Sequence, residues 1–349
     1  METVFSKENS KLKTQNSNVE IESKLFKLSE VKSQQIGRIP TGFGEFDRVL
    51  GGGIVPGSIV LISGDPGIGK STLLLQCAVK IANVTKVTSS SAKATEDKKE
   101  SKEPKVKESS GSSGSSVTSV TSINSVLYVS GEESPQQVKI RGDRIGKIPS
   151  NLFIFPETDV DAIILASQKV DPTLLIIDSI QTLTSSKLSG SAGSVGQLRE
   201  CSQILQRYAK SSHVPIFIVG HVTKEGAIAG PKVLEHLVDT VLNLEGDDMY
   251  SFRILRSSKN RFGSTFEVGV FEMHDIGLVE VSNPSQIFLS QRIKNRSGSV
   301  VCPTIAGGRP LLSEVQALTT ATMFGIPARK VTGLDFSRMQ IVIAALSKA

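Results

Sequence analysis

Tryptophan is absent from the chain, and aromatic residues make up only 5% of it, although its hydrophobic share, 38% of 349 residues, is ordinary for a globular protein. Cysteine occurs three times, at Cys77, Cys201 and Cys302. An odd number with no CxxC spacing excludes a disulfide framework and a cysteine-built zinc site. Each of the three falls in an apolar or helical context, where packing is the default role, and a reducing intracellular compartment fits. No apolar run approaches the roughly 18 residues that a membrane helix needs. The first twenty residues have no apolar core of the kind a secretory signal carries, and their acidic residues argue against an organelle transit peptide. Charge of one sign is also scarce. The net +6 is mild and sits largely in two polar segments, so charge alone selects no nucleic-acid or membrane partner.

Those two segments are 1–35 and 84–124. Both are rich in Ser, Lys and Glu and poor in apolar periodicity, which predicts a disordered N-terminal stretch and a solvated insertion. Long surface loops cost little closure entropy, so a fold can carry the second. With both set aside, β-type apolar runs at 58–63, 125–130, 152–155, 173–178 and 215–220 alternate with helical patterns at 71–82, 135–145, 160–169 and 194–210. Nearly continuous apolar strands separated by helices predict an α/β fold with a mostly parallel sheet covered on both faces. Beyond Pro231, runs at 238–244, 252–256, 266–271 and 277–281 follow one another closely and predict an antiparallel extension of the same sheet. From about residue 293 an apolar run at 299–305 and helical patterns at 313–322 and 337–347 remain.

The stretch Gly64, Asp65, Pro66, Gly67, Ile68, Gly69, Lys70, Ser71 matches GxxxxGK[ST], follows a predicted strand and opens a predicted helix at Thr72. Glycines let backbone N–H groups curl round a phosphate, and the helix N-terminus adds a positive dipole end. This predicts an ATP site in which Lys70 reaches the β- and γ-phosphates and the Ser71 hydroxyl ligates Mg²⁺. Asp178, after four apolar residues, ends a strand as the second Mg²⁺ group. Glu132, at the end of the run 125–130, is the candidate general base, with Glu133 as its fallback; two solvated first-turn carboxylates is the competing reading. His221 ends the run 215–220, where a polar side chain can sense the γ-phosphate.

The stretch 41–53 (TGFGEFDRVLGGG) followed by this loop resembles the entry to RecA and KaiC superfamily ATPase cores. Within them SGEES at 130–134, KNRFG at 259–263, VGHVTKEG at 219–226 and GPK at 230–232 resemble the bacterial RadA (Sms) family of DNA repair proteins. The resemblance covers residue 36 to the end, apart from the insertion. It implies a RecA-type core over 36–290 and part of a Lon-protease-like domain over 291–349. It implies a hexameric ring that moves on single-stranded and branched DNA in recombinational repair, promotes branch migration and has a RecA-type recombinase as partner. Lys259 and Arg261 would reach a neighbouring subunit's γ-phosphate. Lys187, Lys224 and Lys232, in stretches where such proteins face DNA, would contact its phosphates; few aromatics lie near them, so base stacking is expected to be minor. Two departures stand out: no cysteine in 1–35 for the family's zinc finger, hence no expected zinc, and a Lon-like region too short to be whole. The alternative is a KaiC-like scaffold or signalling ATPase that acts on proteins without DNA.

Overall fold

The computed structural model describes residues 37–87, 121–221, 231–246, 251–289, 292–293, 296–306, 308–321 and 328–348. The expected disordered segment 1–35 and most of the expected insertion lie outside them. The insertion's ends do not: Thr85–Val87 (β2) pairs antiparallel with Thr121–Ile123 (β3). Asn124 is buried beside them and donates from Nδ2 to Val84 O at 2.9 Å. The solvated segment expected over 84–124 is therefore entered and left through a paired stem, in which the backbone groups satisfy one another.

Two compact units are present, one within Met1–Ser282 and Ala306–Arg309, the other within Asn283–Ile305 and Pro310–Ala349. The first opens on α1 (Gly44–Leu50) and β1 (Ile59–Gly64), followed by α2 (Lys70–Ala82). After the stem come β4 (Val126–Ser130), α3 (Pro135–Ile145), β5 (Leu152–Phe155), α4 (Val160–Val170), β6 (Leu174–Asp178), α5 (Val195–Ser212) and β7 (Ile216–His221). The unit ends with β8 (Thr240–Gly246), β9 (Phe252–Asn260), β10 (Val268–His274) and β11 (Gly277–Glu280). Nine of these strands form one sheet in the order β11-β10-β9-β8-β1-β7-β6-β4-β5.

Strand β1 is buried along its whole length, and its alternate side chains supply two cores. Val60 and Ile62 join Leu73, Leu74 and Cys77 of α2 with Phe43 and Phe46 on one face. Ile59 and Leu61 join Leu198, Cys201 and Leu205 of α5 on the other. Each fully buried Val, Leu or Ile contributes roughly 1.5–3 kcal/mol relative to exposure, which explains why the unbroken apolar runs become central strands.

The expected antiparallel extension begins one strand later than the sequence suggests. β8 pairs parallel with β1, and only β9, β10 and β11 alternate in direction. The connection 222–239 is long enough for a crossover back to the far edge of the sheet, where Asp239 N donates to Ile59 O at 2.9 Å.

The second unit holds α6 (Pro284–Phe288), all but the facing end residues of a two-stranded sheet of β12 (Ser299–Ala306) and β13 (Arg309–Gln316), and α7 (Phe336–Lys348). Of the helix expected over 313–322, the described residues 313–321 form none: the first of them belong to β13. Pairing with β12 satisfies that backbone, overriding an apolar spacing that read as helical.

Candidate active site at the phosphate loop

Residues 65–69 leave the sheet between β1 and α2. Gly64 has φ 151°, and a Cβ there would stand 2.4 Å from Leu244 O, so the strand can end beside β8 only as glycine. Asp65, Pro66 and Gly67 are exposed at the tip, while Ile68 turns inward. Lys70 is 3% exposed and folds back, its Nζ donating to Gly64 O and Asp65 O at 2.8 Å each. Burial lowers its pKa, and Asp178, Asp65 and Glu132 pull in the opposite direction. The ammonium is thus held under the loop by two backbone carbonyls, with no ion pair to a carboxylate among the described contacts, and an ammonium of this kind suits an anion bound in the loop. Ser71 and Thr72 lie partly exposed in the first turn of α2.

Strand register brings the other groups to the same edge. Gly64 is level with His221, and Ser130 is level with Asp178. Strand β4 is not adjacent to the loop-bearing strand: β7 and β6 stand between β1 and β4. Glu132 is carried back toward the centre by the turn after β4, where its Oε1 accepts from Ser179 Oγ at 2.5 Å and lies 3.5 Å from His221 Nε2. Gly131 makes this turn feasible. Its N–H donates to Asp178 O at 2.9 Å, and a Cβ would meet Thr182 Oγ1 at 1.9 Å. The peptide between Asp178 and Ser179 is cis.

Glu133, the fallback base, is engaged elsewhere. Arg141 of α3 grips it with two contacts, Nη1 to Oε1 at 2.9 Å and Nη2 to Oε2 at 2.7 Å. The same Nη2 lies 3.4 Å from the Tyr128 hydroxyl and 4.0 Å from Asp178 Oδ2. Tyr128 is fully buried and donates to Asp178 Oδ2 at 2.5 Å. Burial, with the Asp178 charge second, pushes its phenol well above the usual tyrosine range. Sequence reasoning missed Tyr128, Arg141 and Ser179. The legible signal was the Ser134–Gln137 capping box that starts α3 and thereby aims Arg141 at this edge.

Among the described residues no three His, Cys, Asp or Glu side chains converge on a metal position. A hydroxyl from Ser71 and a single carboxylate from Asp178 fit a hard cation held chiefly by phosphate oxygens and water, as Mg²⁺ is. Beside Thr72 a cavity of about 150 Å³ lies between Arg141 and Arg144 of α3 and the turn Met273–Gly277.

Lys259 and Arg261 are not in this cluster. Thr240 of β8 pairs with Val60 on one side and Asn260 on the other, so the end of β9 lies at the opposite edge of the sheet from the phosphate loop. Four residues at ~3.3 Å each separate Val60 from Gly64, a distance of ~13 Å. There Lys259 Nζ donates to Glu235 O at 2.6 Å and Val238 O at 2.8 Å, and burial lowers its pKa, with the Arg261 charge second. Arg261 Nη1 contacts Asp239 Oδ1 at 3.0 Å, while Asp239 Oδ2 accepts from Lys210 Nζ at 2.8 Å and from Ile59 N–H at 3.0 Å. The intervening residue is anchored to α1: Asn260 Nδ2 donates to Val49 O and Leu50 O at 3.3 Å each.

Lys187 is exposed and ion-paired with Asp161 at 3.1 Å, and Lys232 is exposed on a short 3₁₀ turn. Lys224 lies outside the described residues. No helix among the described residues is long and apolar enough to cross a membrane.

A family model described as ATPase: KaiC matches residues 39–283. The DNA repair protein RadA of Streptococcus pneumoniae is 48% identical over 326 residues, covering 93% of this chain and 68% of that protein. RadA of Streptococcus pyogenes serotype M6 is 47% identical over 326 residues, and there the chain spans 63% of the relative's length. A KaiC-like protein from Pyrococcus horikoshii has a solved structure that aligns with a TM-score of 0.49 at 17% identity, over 70% of this chain and 99% of that one.

Proposed function

The chain belongs to the RadA family of DNA repair proteins, within the KaiC-type ATPases, and we propose that it hydrolyses ATP in response to DNA, acting on single-stranded and branched DNA in recombinational repair. The observation that carries this reading is the division of its charged groups between two edges of one sheet. Lys70, Glu132, Asp178 and His221 converge at the phosphate loop, whereas Lys259 and Arg261 lie at the far edge, out of reach of their own loop. Cations in that position serve a phosphate only if a second copy presents one. Hydrolysis is then tied to a homo-oligomer, a hexameric ring on this reading.

Lys70 neutralises the β- and γ-phosphates, and the loop amides of 65–69 hold their oxygens. Ser71 and Asp178 would hold Mg²⁺, Asp178 through its water shell, and the bound ion would supply positive charge to the phosphates. Glu132 takes the proton of the attacking water, leaving a carboxylic acid as the water oxygen bonds to the γ-phosphorus and ADP departs. Ser179 keeps the Glu132 carboxylate aimed, because its short hydrogen bond fixes one oxygen. The cavity beside Thr72 receives the nucleoside end. Lys259 and Arg261 of the adjacent copy stabilise the transferred charge.

His221 stands at the head of the connection 222–239, so a change at the γ-phosphate reaches residues that follow it in the chain. Lys224 and Lys232 in that connection, and Lys187 after β6, are the DNA phosphate contacts. The exposed Lys187–Asp161 pair is worth at most about 1 kcal/mol and exchanges readily for a phosphate. A Lon-like segment over 291–349, branch migration as the outcome and a RecA-type recombinase as partner complete the reading.

Steady-state ATP hydrolysis with and without single-stranded DNA, across a salt series, tests it. Stimulation that fades steeply with salt is expected, since each phosphate contact releases counterions. Hydrolysis indifferent to DNA would overturn it and favour the protein-directed scaffold.

A further inference from the structure

We propose that Tyr128 is a positioning residue for Asp178, holding one carboxylate oxygen so that the other is presented to the metal's water shell. The inference rests on Asp178 being the Mg²⁺ acid of the proposed ATPase. Tyr128 pairs with Ile176 in the sheet register, so Asp178, two residues further along β6, is its diagonal neighbour on the same face. The phenol cannot turn away to water, being fully buried, and its acceptor is only 8% exposed. Among the described residues, the hydrogen bond from Tyr128 and the ion pair from Arg141 both fall on Oδ2 of Asp178. Oδ1 is the oxygen that remains to face the cation's water shell.

A buried phenol needs a hydrogen-bond partner wherever it sits. What makes this one more than a satisfied core tyrosine is the path behind it. Arg141 donates toward the phenol oxygen while Glu133 fixes Arg141 with two contacts. Glu133 belongs to the same turn as Glu132. The metal-side carboxylate and the turn that carries the base are thus linked through Arg141 and Tyr128.

Partners that orient a metal's own ligand typically contribute 10–100-fold to metal affinity. The test is the full chain carrying Tyr128→Phe, which removes one oxygen and keeps the ring. Binding of a fluorescent ADP is followed without Mg²⁺ and through a Mg²⁺ titration, with thermal unfolding recorded alongside. The expected result is unchanged Mg²⁺-free ADP affinity and a Mg²⁺ half-saturation raised about tenfold. Arg141→Gln, which perturbs the phenol from outside the core, is expected to move the Mg²⁺ titration in the same direction by a smaller factor, and serves as the test if the tyrosine variant does not fold. A wild-type Mg²⁺ titration in both variants would overturn the proposal, as would equal weakening of ADP binding with and without Mg²⁺ in Tyr128→Phe, the mark of a packing defect; Arg141 also lines the cavity beside Thr72, so its variant is read by the Mg²⁺ half-saturation alone. The wild type separates this from the broader reading. ATP hydrolysis indifferent to DNA sinks the DNA-dependent function and leaves a Mg²⁺ shift standing, whereas ADP binding indifferent to Mg²⁺ in the wild type removes the basis for both.

Discussion

Glu132 Oε1 lies 3.5 Å from His221 Nε2, although the strands that carry them, β4 and β7, are separated by β6. The contact is made above the sheet edge, by the turn at Gly131 folding over the end of β6. It puts the candidate base and the residue that opens the connection 222–239 within reach of one water. Glu132→Gln keeps the shape and the Ser179 hydrogen bond but removes the basic oxygen. Turnover is expected to fall by roughly 10²–10⁴ with ADP affinity retained, checked by single-turnover hydrolysis beside an ADP titration. His221→Ala is expected to lower the DNA-stimulated rate more than the basal one.

Lys70→Ala removes the ammonium buried beneath the loop and with it the positive charge that offsets the nearby carboxylates Asp178, Asp65 and Glu132. Loss of ATP binding as well as hydrolysis is expected. An ADP or ATP titration that matches the wild type would remove the phosphate-site assignment.

Arg261→Ala should leave ATP binding in place while hydrolysis falls by about 10³ or more, the scale of a cation supplied from a neighbour. The decisive experiment mixes Arg261→Ala subunits with Lys70→Ala subunits, each inactive alone. Interfaces that combine an intact loop from one copy with an intact Arg261 from the other should regain activity. No recovery in mixed oligomers would place Arg261 in a local role, as the partner of Asp239.

Gly131→Ala directs a methyl group at Thr182 Oγ1. Overpacking of this kind costs about 1–3 kcal/mol, so a drop of several degrees in Tm is expected, with a loss of turnover as the turn carrying Glu132 is displaced. Because the clash is with Thr182, Thr182→Gly in the same chain should recover part of both. Thermal unfolding and hydrolysis measured on the single and double variants decide it.

The cysteines make a simpler prediction. Cys77 and Cys201 are fully buried, and burial pushes the Cys201 thiol up to about 12 and the Cys77 thiol well above its ordinary range. The reactive form is the thiolate. At pH 8 both should resist alkylation in the native protein, with Cys302, which is only partly covered, as the accessible thiol. Denaturation should expose all three, and mass spectrometry of alkylated peptides reads the order directly.

The phosphate loop was legible in the sequence because its chemistry is local. Eight consecutive residues, one strand before and one helix after, suffice to shape a backbone cradle, and the structure adds only the folded-back position of Lys70. Asp178 was legible for the same reason, as the single charge that closes an apolar strand. Glu132 was placed ahead of Glu133 as the candidate base, but the sequence held no physical ground that separates two adjacent carboxylates in a turn; the grip of Arg141 on Glu133 supplies one. The direction of β8 was misread because strand direction depends on where a connection lands and not on the apolar run itself. The helix read at 313–322 failed where pairing with β12 outweighed local spacing.

The amino-acid order by itself determined the alternation of strands and helices, the two apolar faces of the central strands and the phosphate loop, because these depend on side-chain period and on neighbours a few residues away. The tertiary structure alone decided that Tyr128 and Arg141 share Asp178, that Glu132 rather than Glu133 meets Ser179 and His221, and that Lys259 and Arg261 lie across the sheet from the loop. Those relationships are set by register and strand order, which pair residues as far apart as Val60 and Thr240 and leave no trace in any local pattern.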